Sequence, residues 1–188
     1  MGEDTQTPPM PIDSEGEPAN EDAENLARLE EARKWLFDDS FVRERTEKAK
    51  KDAAAQEDPR TRKFIEQAIN HNIDPETGLY TDDVRATSAF DEDIYVLMPG
   101  AEESGGFRYF LDKPVTNWQG RTGREFREDF LEAAKELGIG EADIAELNPA
   151  KRASLSDLNR GTLELYRFVF PIMEKLTVDK HYRPTIKY

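Results

Sequence analysis

The chain has no cysteine among its 188 residues and only two histidines, His71 and His181. Without thiols there is no disulfide framework, no thiolate metal site and no cysteine nucleophile. Two histidines exclude a multi-histidine zinc centre within one chain. No apolar run approaches the roughly 18 residues of a membrane span, and the first residues lack the basic-then-apolar layout of a signal peptide. A phosphate loop, a dinucleotide fingerprint and a serine elbow are all missing, so no cofactor is expected. These absences predict a soluble protein of the cytoplasm or of a virion interior.

Charge is what the chain has in excess: 40 Asp+Glu stand against 26 Lys+Arg, a net −14. Residues 1–24 hold eight acids and no Lys or Arg, so they supply −8 of that and leave −6 for the rest. The same stretch carries Pro8, Pro9, Pro11 and Pro18, with Met10 and Ile12 as its large apolar residues. Such a composition buries too little to offset ordering entropy, and residues 1–20 are predicted to form a disordered acidic tail. It serves as a solubilising leader or docks on a basic partner. The overall sign repels phosphate backbones, so direct nucleic-acid binding is not expected.

A polar helical arm is predicted over 21–57. Leu26, Leu29, Ala32 and Leu36 recur at helical spacing behind a possible Asn20 or Asp22 cap, and Trp35 and Phe37 widen the stripe. After Asp38-Asp39-Ser40 the stretch 43–57 favours helix but offers only small alanines for burial. Trp35, with Phe37, Phe41 and Val42, either caps the core or anchors in a partner.

Residues 58–178 are predicted to form an α+β domain, mainly α with a small β-hairpin near 93–112. Asp58-Pro59 signals a helix start. Phe64, Ile65, Ala68 and Ile69 give that helix one apolar face, and Asp74-Pro75-Glu76-Thr77-Gly78 spells a turn. Asp74, Glu76, Asp82 and Asp83 lack calcium-loop spacing, so metal binding is not expected there. Ile94 to Met98 and Phe107 to Phe110 read as two strands around a glycine-bearing loop. Thr122 and Glu125 have capping-box spacing ahead of a Phe126/Phe130/Ala133/Ala134/Leu137 stripe that ends at Gly138. Ala134, Gly138, Ile144 and Leu147 have helix-turn-helix offsets. Glu141, Asp143 and Glu146 would meet phosphate there, so a packing corner is predicted instead.

Gly120, Arg121, Gly123 and Arg124 sit directly before that helix. Free amides and two fixed cations make them candidates for holding a phosphate or a partner carboxylate, while a plain turn-plus-cap explains the same residues. The loop resembles the glycine-x-x-glycine loop of KH-type RNA binders over these four residues alone. The last helix, opened by Ser154 or Ser156, is apolar over most of its girth, with Pro171 inside it. Phe168 and Phe170 on that helix are interface candidates. So are Tyr182, Arg183 and Tyr188 on a basic, extended C-terminal arm over 179–188.

Three functions fit these features. The first is a non-catalytic interaction or assembly protein: an adaptor, scaffold, assembly chaperone or small structural subunit, as of a phage particle, with a protein partner or a homo-oligomeric state. An acidic nucleic-acid mimic that inhibits a basic partner is the second. A carboxylate-dependent enzyme is the third, although the sequence singles out no catalytic pair among 40 acids.

Overall fold

The computed structural model describes residues 16–90, 94–103, 111–114, 120–151 and 155–183. Seven α-helices are found among them: α1 (Gly16–Phe37), α2 (Asp39–Ala54), α3 (Pro59–His71), α4 (Asp82–Ala89), α5 (Gly123–Glu136), α6 (Glu141–Leu147) and α7 (Leu155–Lys180). Short 3₁₀ turns occupy Ile94–Leu97, Ala101–Glu103 and Pro149–Lys151.

Local chemistry sets most helix ends. Asp38 alone separates α1 from α2, its carboxylate accepting the Phe41 amide at 3.1 Å. Asp58 caps α3 with Pro59 in the first turn, and Thr81 caps α4. The Thr122/Glu125 capping box opens α5 with both reciprocal bonds made. At its other end Gly138 turns left-handed (φ 74) while the Ile139 amide reaches back to the Ala134 carbonyl at 2.9 Å. That is a Schellman stop, which a left-handed glycine adopts without steric cost. The following α6 buries Ile144 against the rest, so this corner packs.

The core gathers around α7, against which α1, α4 and α5 pack. Leu36, Phe90, Tyr166, Ile172 and Met173 are fully buried there. Phe90 meets Tyr166 edge-on at 5.6 Å, and Phe126 stacks on Phe130 at 5.8 Å. Each such side chain contributes about 2 kcal/mol by leaving water. Pro171 lies within α7 and cannot donate to the Arg167 carbonyl.

The expected β-hairpin is not found. Ile94–Leu97 winds into a 3₁₀ turn, and the described residues contain no strand beyond two isolated bridges, Ile73 with Tyr80 and Pro114 with Thr122. The second run, 107–110, lies outside the described residues. Tertiary hydrogen bonding overrides the β-propensity of Ile94 to Met98. The buried Asn148 amide donates to the carbonyls of Tyr95 (2.8 Å), Met98 (3.3 Å) and Pro99 (3.0 Å), groups a strand would spend on a ladder. Its oxygen accepts the Ala150 amide at 2.9 Å. Fold class is therefore mostly helical rather than α+β.

The predicted tail overlaps α1, which begins at Gly16; residues 1–15 lie outside the described residues. At the other terminus α7 runs to Lys180, and His181 adopts a left-handed φ of 54. Tyr182 then folds back, buried against Phe126 at 6.1 Å between ring centres, with its amide on the Leu176 carbonyl. His181 and Arg183 meet Asp22 and Glu21 of α1 at 2.9 and 3.5 Å. No described helix is long and apolar enough to cross a membrane.

Candidate functional site

A groove of about 700 Å³ opens where the end of α1 meets α2, α3 and α4. Its frame starts with a helix-terminus problem. The last carbonyls of α1 have no partners within the helix. Arg85 of α4, itself buried, donates from Nε to the Trp35 carbonyl at 3.0 Å and from a terminal nitrogen to the Leu36 carbonyl at 3.3 Å. Arg167 of α7 adds a second donor to the Leu36 carbonyl at 2.6 Å. Asp39 meets the Arg85 guanidinium at 2.9 Å. The end of α1 is thereby fixed, and Trp35 with it.

Trp35 forms one wall of the groove, with Phe41 edge-on at 5.4 Å and Tyr80 at 6.0 Å. Thr46 sets the Tyr80 loop in place: its hydroxyl donates to the Val42 carbonyl at 2.8 Å and accepts the Tyr80 amide at 3.2 Å. The loop closes on itself through Asp74, which accepts the Glu76 amide at 2.8 Å, and through Gly78 at φ 70. Among the described residues no three acids or histidines converge as a metal site.

The opposite wall is α3. None of its 13 residues is buried, although Phe64, Ile65 and Ile69 share one face. Phe64 is 73% exposed, the most open large apolar side chain described. The groove is lined by two cations and one acid, each of them paired. Arg45 and Lys48 line it with Asp52, and α3 carries Arg60, Arg62 and Lys63 against Glu66. Lys48 pairs with Asp52 at 2.6 Å and Arg45 with Glu31 at 3.6 Å.

Among the described residues, two buried polar atoms in this region lack a hydrogen-bond partner: the indole Nε1 of Trp35 and the hydroxyl of Ser88, residues that both line the groove. A buried polar group left unpaired costs about 1–3 kcal/mol, and such groups are uncommon in native folds. An aromatic cleft of this volume with a few unspent polar groups has the make-up of a binding site.

The residues singled out in the sequence are dispersed. Trp35 belongs to the groove. The Gly120–Arg124 loop lies elsewhere, and two of its amides are engaged: Gly123 donates to the Lys113 carbonyl at 3.0 Å and Thr122 to the Glu125 carboxylate at 2.9 Å. Arg121 pairs with Asp129, and Arg124 with Asp112 at 3.4 Å. Phe170 is buried under the Arg33 guanidinium at 4.7 Å, Phe168 is half-buried against the core, and Tyr188 lies outside the described residues. Tyr80 and Ser88 escaped the sequence reading, because neither sits in a periodic pattern. Phe64 was legible as part of an apolar stripe, but nothing in a stripe states that it stays uncovered. No protein-family model, curated protein or solved structure matches the chain.

Proposed function

We propose that this is a non-catalytic interaction protein that docks a polypeptide in the groove between Trp35 and α3. The observation that carries the reading is the exposed apolar face of α3, centred on Phe64. Ile65 and Ile69 are half-buried beside α2 while Phe64 stays open to solvent, and a partner seated on that face would supply the missing burial. The aromatic lining supports a polypeptide occupant. A net −14 disfavours nucleic acid as the partner. An adaptor, scaffold or assembly role fits these properties, in the cytoplasm or in a virion.

Cross-linking tests the reading. The full chain carrying Phe64→p-benzoylphenylalanine should form, on illumination, a covalent adduct whose second half is a polypeptide. The Phe64→Asp variant should keep its melting temperature, because the side chain is exposed, while losing association in sedimentation. Absence of any polypeptide adduct at position 64, with unchanged sedimentation of Phe64→Asp, overturns the proposal.

A further inference from the structure

We infer that His181, Tyr182 and Arg183 form a strap that holds the first half of α1 on the body of the fold, so that those turns keep their order only while Tyr182 is seated. The strap is a conformational device separate from the groove, and it stands whether or not the groove takes a partner.

The first half of α1 has little apolar hold of its own. From Glu21 to Arg28 one residue is buried, and it is polar: Asn25, whose side-chain oxygen has no hydrogen-bond partner among the described residues. Leu26 turns outward at 53% exposure, and burial of apolar side chains begins at Leu29. Helical turns are marginal in water unless an apolar face is covered, so these turns draw on ties made from elsewhere.

Charge selects where the tie comes from. Neither Glu21 nor Asp22 has a base three or four residues away on either side, so pairing within the helix cannot serve them. Bases from beyond α7 do. His181 Nδ1 lies 2.9 Å from the Asp22 carboxylate, and the Arg183 guanidinium lies 3.5 Å from that of Glu21.

Exposed pairs of this kind hold weakly when the segment that offers them is itself loose. Here the residue between the two bases is the anchor. Tyr182 is 5% exposed, its ring 6.1 Å from that of Phe126 on α5, and its amide donates to the Leu176 carbonyl of α7 at 3.2 Å. His181 makes the reversal that seats it, at φ 54. Glycine takes that conformation at less cost, whereas histidine also supplies the ring that meets Asp22. Three consecutive residues thus join α1, α5 and α7: the middle one enters the core and its neighbours reach α1.

Amide hydrogen exchange of the full chain, read residue by residue by NMR, tests the strap. Tyr182→Ala should speed exchange over residues 23–28 about fivefold, the loss of two surface pairs, and leave α2 and α3 at parental rates. Glu21→Ala with Asp22→Ala should give the same acceleration while the Tyr182 amide keeps its protection. Alanine favours helix, so faster exchange in that variant reports the lost tie and not a lost propensity. Combining all three substitutions should add nothing over residues 23–28, because each set removes the same tie. Parental exchange there in Tyr182→Ala would show that α1 holds itself and would overturn the strap. So would uniform acceleration along the whole chain, which makes Tyr182 an ordinary core residue, and so would effects that multiply in the combined variant.

Discussion

Arg85 donates to the carbonyl oxygen of Trp35 at 3.0 Å, across fifty positions of sequence. The buried guanidinium supplies a helix terminus with donors that its own backbone lacks, and it fixes the aromatic wall of the groove in the same contact. Stability and the candidate site are therefore coupled through one side chain.

That coupling predicts the behaviour of Arg85→Met. The methionine keeps the apolar stem but strands the Trp35 carbonyl, while Arg167 still serves Leu36. A hydrogen bond from a charged donor is worth about 1.5–3 kcal/mol. The variant should lose about 2 kcal/mol in urea unfolding, with altered tryptophan fluorescence in the folded state. A loss under about 0.5 kcal/mol would show that water replaces the guanidinium.

Glycine at position 100 is held by two independent constraints. Its φ is 93, and a Cβ there would lie 2.8 Å from the Ala145 carbonyl oxygen, which is backbone and cannot rotate away. Gly78 shares the positive φ, at 70, but has open space around it. Gly78→Ala should cost about 1 kcal/mol from conformation alone, and Gly100→Ala distinctly more. Equal costs in parallel denaturation curves would rule out the steric component.

Glu102 links this same loop to α5 and should set an acid limb of stability. Burial pushes its carboxyl up, but hydrogen bonds from Arg127 and the Gly100 amide, with the Arg127 charge, hold it below its ordinary 4.5. The folded state thus favours the ionised form. Its contribution is present above pH 4.5 and is lost as pH falls through the depressed folded value. Glu102→Gln should melt below the parent near neutral pH, and the two curves should converge in acid. A gap that stays constant with pH would assign the contact to geometry rather than charge.

Helix limits were legible wherever the stabilising group lies within a turn of the end it serves. Asp58 with Pro59, Thr122 with Glu125, and Gly138 each act on amides or carbonyls within about five residues, so their identities alone announce the boundary. The charge asymmetry was equally plain. Ile94 to Met98 was not legible, because the group that claims its carbonyls is Asn148, some fifty residues on. β-Branched residues state a preference for a pleated surface, and Asn148 offered helical turns instead.

The groove divides the same way. Sequence by itself determined that α3 is amphipathic, that Trp35 ends an apolar stripe and that the first residues are acidic and proline-rich, since each is a property of residue type and local spacing. Tertiary structure alone decided that α3 leans on α2 with Phe64 left uncovered, and that Trp35 and Ser88 line the same groove with no acceptor for their donors among the described residues. Burial and hydrogen-bond satisfaction are sums over neighbours drawn from the whole chain, and no local window contains those neighbours.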